Sequence, residues 1–167
     1  MKDTPWSKNV IILNLVAIIC LMSLATYMIL VKSWIFLLIY WVNWILFFTV
    51  GRYFSCRHCD FHGKACPSWC MGIIGGKLYK RSNKKNFCED GGLLKAILFD
   101  ITFLMLGIFF PYLIYMYYSL TDVLTLVDWV LLGIYSLLVV FTLGIHHKGC
   151  KKCPNDECLM SGTRKKK

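Results

Sequence analysis

The chain has 167 residues, of which 57% are hydrophobic and 17% are charged, with a mean hydropathy of +0.58 and a formal net charge of +10. A soluble domain of this length cannot bury so much apolar surface in one core, so the composition excludes an ordinary soluble globular domain. The basic residues lie in blocks between apolar runs, a pattern that favours membrane topology and anionic lipid contact over nucleic-acid binding.

Four apolar segments are separated by two short breaks and one long loop. Each segment is long enough to cross a bilayer, because about 20 helical residues span the hydrocarbon core. The sequence therefore predicts an all-α membrane protein with four transmembrane helices. The predicted segments are an N-terminus at 1–8, spans at 9–31, 34–50, 93–120 and 123–145, a central loop at 51–92 and a tail at 146–167.

The first two spans are predicted to form a hairpin. The apolar run of the first continues to Val31, past a weak cleavage site at Ser23-Leu24-Ala25, so we expect an uncleaved anchor rather than a signal peptide. Only Lys32 and Ser33 separate this span from the second, which makes the connection tight. Cys20, inside the first span, is expected to be a small packing residue.

The last two spans contain two features that shape a helix. Pro111 removes one backbone donor from the third span, so we expect a kink there and a Gly107 carbonyl without its usual partner. A short turn precedes the fourth span, and Thr121 or Asp122 could cap that helix.

Several polar residues fall inside the predicted spans. Acidic residues in such positions are functional candidates by default. For Asp100 and Asp128 we favour solvation at the membrane interface, because both lie near helix ends; Asp100 could instead pair with Lys95 or face the cysteine-rich loop. Asn14 and Asn43 are expected to form hydrogen bonds between helices.

The distribution of basic residues predicts the topology. Of the 19 Lys and Arg residues, Lys32 alone lies between the first two spans. All others precede the first span, lie in or beside the central loop, or follow the last span. The positive-inside rule then places the loop and both termini in the cytoplasm. The protein is therefore expected in the cell membrane as a multi-pass protein.

All but one of the nine cysteines lie in the loop and the tail. Stable disulfides are disfavoured in a reducing cytoplasm, so such a cluster indicates metal binding or thiol chemistry. Two Cys-x2-Cys pairs have the spacing with which a tight turn directs two thiolates at one ion. The candidate metal ligands are Cys56, Cys59, Cys66, Cys70, Cys88, Cys150, Cys153 and Cys158.

The eight thiols suffice for two tetrahedral sites, and their grouping stays open. One scheme forms the first site from Cys56, Cys59, Cys66 and Cys70, and the second from Cys88, Cys150, Cys153 and Cys158. Another crosses the two Cys-x2-Cys turns over one ion. A nearby histidine could replace a thiolate; the candidates are His58, His62, His146 and His147. The alternative for His146 and His147 is an interfacial pair at the end of the last helix.

Zinc is the favoured metal, with an iron–sulfur cluster as the alternative. The ferredoxin-type run of cysteines is absent, although thiolate-rich sites suit either metal. Thiol redox chemistry is a third reading, since four membrane helices with a Cys-x2-Cys pair resemble the quinone-linked disulfide-forming proteins. Those proteins carry their cysteines on the oxidising side of the membrane, opposite to the side predicted here.

The central loop also resembles that of a group of small prokaryotic membrane proteins for which no activity is known. The resemblance rests on Cys56-x2-Cys59-x2-His62-Gly63-Lys64-x-Cys66, on the glycines that follow, and on a second cysteine cluster after the last span. It covers about 40 residues and implies a four-helix membrane protein without implying a function.

The loop continues into a segment that is first apolar and then basic. We expect residues 69–81 to lie in the headgroup region, with Met71, Ile74 and Leu78 on one face. The basic residues that follow are expected to meet anionic lipids.

These features favour a cytoplasmic metal-binding module that orders an interaction surface. The expected partners are the bilayer, anionic lipids and a membrane or cytoplasmic protein, with no nucleic acid. The alternative is a membrane electron-transfer component with an iron–sulfur cluster or reactive thiols, and a small transporter or metal-handling protein ranks third. No catalytic residue is predicted, and an enzymatic function is not favoured.

Overall fold

The computed structural model describes residues 6–57, 59, 61–69, 71–81, 92–121 and 124–152. These residues form helices and turns and contain no strand. The helices are α1 Lys8–Lys32, α2 Trp34–Leu46, a π-helical turn Phe47–Gly51, α3 Arg52–Cys56, α4 Met71–Leu78, α5 Gly92–Thr121 and α6 Leu126–Lys151.

Four stretches are long and apolar enough to cross a membrane: Lys8–Lys32, Trp34–Gly51, Leu98–Thr121 and Leu126–Lys151. Large apolar side chains cover the outside of the bundle; Leu137 and Val140, for example, are 73% and 71% exposed. Such a surface is expected where lipid is the solvent, and it would be an aggregation hazard in water. The prediction of an all-α chain with four helices of membrane-spanning length is confirmed.

Helices α1 and α6 pack side by side in opposite directions. At one end the Trp6 indole donates a hydrogen bond of 2.9 Å to the Gly149 carbonyl. Midway, the Thr142 hydroxyl donates to the Ala17 carbonyl at 3.5 Å. At the other end, Lys32 Nζ lies 3.0 Å from an Asp128 carboxylate oxygen.

Helices α2 and α5 form the second antiparallel pair. The Asn43 side-chain amide donates to the Phe103 carbonyl at 3.0 Å, as expected of a polar residue between helices. One turn along α5, a Cβ built on Gly107 would lie 2.9 Å from the Trp44 ring. The absent side chain therefore lets the indole pack directly on the α5 backbone. Pro111 lies inside α5, and the kink expected there stays a prediction.

The beginning of α6 differs from the prediction. Its N-cap is Thr125, whose hydroxyl accepts from the Asp128 backbone N–H while the Asp128 carboxylate accepts from the Thr125 N–H. This capping box satisfies two helix-end donors at once and fixes the start at Leu126, so the expected cap at Thr121 or Asp122 is wrong. Asp128 is 6% exposed and paired with Lys32, so solvation at the interface is also wrong for it.

Two smaller predictions about α1 are also wrong. The side-chain amide of Asn14 donates to the Val10 carbonyl of its own helix, at 2.9 Å, rather than to another helix. Cys20 is exposed on the outside of the bundle, where it packs in no core.

Candidate functional site

The candidate site lies at one end of the bundle, where three parts of the chain meet. Trp6 packs against Phe61 of the central loop with ring centroids 4.8 Å apart and donates its indole N–H to Gly149 of α6. Trp69 of the loop stacks on His146 of α6, with centroids 4.6 Å apart and ring planes 27° apart. The loop is therefore fastened to the C-terminal end of α6.

The loop enters this end through a series of tight turns around Cys59. The Cys59 N–H donates to the Cys56 carbonyl at 3.3 Å, and the His62 N–H donates to the Cys59 carbonyl at 3.1 Å. The chain then turns through Gly63, whose φ of +80° lies in the left-handed region that glycine adopts without strain. The Cys-x2-Cys spacing thus forms a turn, as its sequence indicated.

Two cysteine sulfurs in this loop accept hydrogen bonds from backbone amides. The Phe61 N–H lies 3.5 Å from Cys59 Sγ, and the Gly72 N–H lies 3.4 Å from Cys66 Sγ. Hydrogen bonds to sulfur stabilise the negative charge of a thiolate, the form that binds metal. In the thiol form, Cys66 Sγ can itself donate to the Ser68 carbonyl, 3.9 Å away.

Cys56 ends α3 and is buried beside these turns. The pKa of its thiol is raised to about 12, mainly by burial; the Arg52 guanidinium lowers it, and negative charge on Cys66, Cys59 or Asp100 contributes to the rise. Cys59 and Cys66 therefore lie close enough to act electrostatically on Cys56, whose thiol is protonated at neutral pH unless a cation replaces its proton.

A partly buried ion pair, Arg52 with Asp100, lies close to Cys56. Arg52 Nη1 is 3.4 Å from an Asp100 carboxylate oxygen, and the guanidinium lies 4.2 Å from the centre of the Phe47 ring. A Cβ built on Gly51 would lie 2.6 Å from Asp100, so the π-helical turn brings backbone and carboxylate close together. Asp100 therefore pairs with Arg52 and acts on Cys56 beside the cysteine-rich loop, which was an alternative to the favoured prediction of interfacial solvation. The side chain of Lys95, the other alternative partner, lies outside the described part.

Helix α4 uses its glycines to pack against the cysteine loop. A Cβ built on Gly72 would lie 2.3 Å from the Lys64 carbonyl oxygen, and one built on Gly75 would lie 2.7 Å from Cys56 Cβ. A Cβ built on Gly76 would lie 2.5 Å from Gly63 Cα. The Gly63 N–H also donates to the Gly72 carbonyl at 2.8 Å. Helix α4 therefore holds the turns that carry Cys56 and Cys59.

The side chains of α4 differ from the prediction of a lipid-facing Met71, Ile74 and Leu78. Met71 is 3% exposed and Ile74 packs against the bundle core, so both face inward. Leu78 is 51% exposed and Ile73 37% exposed. Contact with the core competes with lipid for the apolar face and leaves Ile73 and Leu78 on the outside.

We expect Gly72→Ala to lower the free energy of unfolding by about 1–3 kcal/mol, as overpacking of a close contact does. The added methyl would meet the Lys64 carbonyl at 2.3 Å, and backbone cannot move aside easily. Gly133→Ala is the matched control, because a Cβ there meets nothing within 4 Å. Thermal unfolding in detergent measures both variants. Equal melting temperatures for them would contradict the packing role of α4.

Trp69 holds an unusual backbone conformation at the centre of the site. Its φ is +52°, a left-handed value that a bulky residue rarely adopts, and its side chain is 1% exposed. Packing against Phe47 and stacking on His146 hold it there. Strain of this kind commonly accompanies functional sites, where surrounding contacts offset about 1–3 kcal/mol.

Helix α6 extends beyond the predicted end of the last span and carries two candidate residues with it. His146 and Cys150 are 8% and 9% exposed, and Cys150 Sγ lies 3.5 Å from His146 Nε2. The interpretation of His146 as an exposed interfacial residue is therefore wrong. The neighbouring His147 is exposed, as that interpretation requires. The role of Trp6, by contrast, had no local signal, because its partner lies at the other end of the chain.

Four of the eight predicted ligands fall on described residues: Cys56, Cys59, Cys66 and Cys150. The other four, together with His58, lie outside the described residues; they are Cys70, Cys88, Cys153 and Cys158. Within the described ranges, no group of three or more Cys, His, Asp or Glu side chains is placed closely enough to hold a metal ion. The grouping schemes therefore stay predictions.

The chain was compared with known proteins at the level of families, sequences and folds. No protein-family model, no curated protein sequence and no solved structure matches it. The resemblance of its loop to that of small prokaryotic membrane proteins stays a prediction, and the proposals below depend on the chain's own residues.

Proposed function

We propose that this protein is a multi-pass membrane protein whose cysteine module binds a thiophilic metal, zinc in preference to iron, and thereby orders an interaction surface. The module comprises the described loop residues 56–81 and the end of α6. The observation that carries the proposal is the pair of backbone amides that donate to Cys59 Sγ and Cys66 Sγ. Amides directed at sulfur favour thiolates, and thiolates are the ligands of structural zinc.

Burial and connectivity also support a structural metal. The loop has a small apolar cluster of its own, formed by Trp6, Ile11 and Phe61 with Cys59, Ala65 and Cys66 at its edge. So small an apolar cluster contributes little to the free energy of folding of the loop. A metal bound by the loop and by α6 would add its binding free energy to the folding of the module.

Charge supports a cytoplasmic position for the module. Lys32, the one basic residue between the first two spans, is at the opposite end of the bundle and is neutralised by Asp128 at 3.0 Å. The other basic residues of the sequence lie before the first span, in or beside the central loop, or after the last span. The positive-inside rule assigns the end that carries the cysteines, and with it both termini, to the cytoplasm.

The proposed interaction surface is the outer side of α4. Ile73, Lys77 and Leu78 are exposed there, and Lys80 and Arg81 follow, also exposed. Apolar residues beside basic ones suit the headgroup region of an anionic membrane. A metal that holds the loop would keep this surface in position.

Metal and sulfide analysis of protein purified anaerobically from membranes tests the proposal. We expect about one or two zinc ions per chain, no iron and no visible absorption, because each tetrahedral zinc uses four ligands. Protein that is brown and contains iron with acid-labile sulfide would overturn zinc and favour the electron-transfer alternative. Protein that contains neither metal, and takes up neither when supplied with zinc or iron, would overturn metal binding altogether.

A further inference from the structure

We infer that His146 and Cys150 are a chelating pair for a tetrahedral divalent ion of the zinc class, so that one ligand of the module is an imidazole rather than a thiolate. The inference rests on the proposed metal-binding function and adds His146, which the cysteine pattern alone does not assign as a ligand. The two residues lie four positions apart on α6 and therefore occupy the same face of the helix.

The separation of the two donor atoms fits one ion. Cys150 Sγ lies 3.5 Å from His146 Nε2. Zinc bonds of about 2.0–2.1 Å to nitrogen and 2.3 Å to sulfur, at a tetrahedral angle, place the two donors about 3.6 Å apart. The pair therefore holds the spacing of two ligands on one ion without any movement of the helix.

The imidazole is held in a fixed orientation. Trp69 stacks on one face of the ring at 4.6 Å, and the Pro67 backbone interacts with it from the loop. The other ring nitrogen, Nδ1, is buried, and the Pro67 backbone can only accept a hydrogen bond from the ring, because proline has no N–H. Metal-bound histidines are commonly oriented by such a backbone acceptor and packed ring.

The surroundings favour chelation over a reactive cysteine–histidine dyad. A nucleophilic thiol must be reached by its substrate, whereas His146 and Cys150 are 8% and 9% exposed. Pro67 packs against Gly149, where a built Cβ would lie 2.6 Å from Pro67 Cβ. The Trp6 indole donates a hydrogen bond to the Gly149 carbonyl and covers the site from the other end of the chain. A closed site of this kind is typical of structural metals.

The remaining ligands must come from elsewhere, because two donors do not complete a tetrahedron. In the sequence, Cys153 completes a Cys-x2-Cys pair with Cys150, and Cys70 directly follows the Trp69 that stacks on His146. Both lie outside the described residues.

X-ray absorption at the zinc edge of the full-length, zinc-loaded protein tests the inference. We expect wild-type protein to show imidazole nitrogen beside sulfur in the first shell. His146→Ala should lose the imidazole signal and weaken zinc binding by more than about 100-fold, since loss of an outer-shell partner alone costs 10–100-fold. His147→Ala, at the exposed neighbouring residue, should change neither.

The wild-type spectrum decides the question even if His146→Ala does not fold. A purely sulfur shell in wild-type protein, or imidazole that persists in His146→Ala, would overturn the inference and leave the proposed function standing. Protein that binds no zinc would overturn both. His146→Cys should retain zinc with an all-sulfur shell, and its failure to do so while folded would also count against the pair.

Discussion

Replacing Cys59 and Cys66 together by serine is expected to abolish most zinc binding by the loop. Their sulfurs are the two that accept backbone hydrogen bonds, from Phe61 and Gly72, and a serine hydroxyl fills nearly the same space without offering a thiolate. Structural zinc contributes about 10–16 kcal/mol of binding free energy in small peptides, so losing two ligands leaves little affinity. Zinc content after dialysis against a competing chelator measures the change.

The matched control is Cys20→Ser. Cys20 is exposed on α1, away from the loop, so its replacement should leave the zinc content at the wild-type value. The double variant should also fold as a membrane bundle, because α1, α2, α5 and α6 pack without the loop sulfurs; helical circular dichroism and a monodisperse detergent complex check this. A folded double variant that retains wild-type zinc would exclude Cys59 and Cys66 as ligands.

Replacing Lys32 by methionine is expected to lower the free energy of unfolding by about 3 kcal/mol, the lower end of the range for breaking a buried ion pair. The lower end applies because the Lys32 side chain is 17% exposed, whereas that of Asp128 is 8% exposed. Without the ammonium, the Asp128 carboxylate keeps hydrogen bonds from Thr125 and Tyr115 but loses its cationic partner. Reversible denaturant unfolding in mixed micelles measures the loss.

A second substitution separates charge from packing at this pair. The single variant Asp128→Asn keeps an oxygen that can accept hydrogen bonds from Thr125. In that variant, Lys32 still has the aromatic rings of Tyr115 and Tyr118, whose centres lie 5.5 and 5.8 Å from its Nζ. We expect Lys32→Met combined with Asp128→Asn to be more stable than Lys32→Met alone, because the uncompensated buried charge is gone. Strictly additive losses would show that the pair makes no net electrostatic contribution.

The four long helices could be predicted from the sequence because their signal is length and apolarity. A run of about 20 apolar residues has few alternatives to a membrane helix. The sequence also shows that Lys32 is the one basic residue between the first two spans. Its pairing with Asp128 could not be predicted, since the sequence does not show that α1 packs beside α6.

The start of α6 is marked in the sequence by a capping box. Thr125 and Asp128 have its spacing, whereas the apolar run begins earlier, so hydropathy alone predicts a start at residue 123. For a similar reason, hydropathy predicts that the last span ends at residue 145, whereas α6 continues to Lys151. Polar His146 and His147 interrupt the apolar run, although His146 is buried against Trp69.

The cysteine spacing predicts a turn at the candidate site but does not show how the site is built. Spacing marked Cys56 and Cys59 as a turn, whereas the close approach of α4 depends on glycines whose role shows only in three dimensions. Arg52 and Asp100 are far apart in the chain and come together because α2 and α5 pack antiparallel. Trp6 reaches Gly149 across nearly the whole sequence.

The most direct test of the metal-binding module is to identify which cysteines react with an alkylating reagent before and after zinc is removed. Cys59 and Cys66 are only half-buried, so burial alone does not protect them. We predict that Cys59 and Cys66 are not alkylated in zinc-loaded protein and become reactive after zinc is removed by a chelator. Cys20 should react equally in the two states. Peptide mass mapping identifies which cysteines are alkylated. Equal reactivity of Cys59 and Cys66 with and without zinc would contradict a metal–thiolate module.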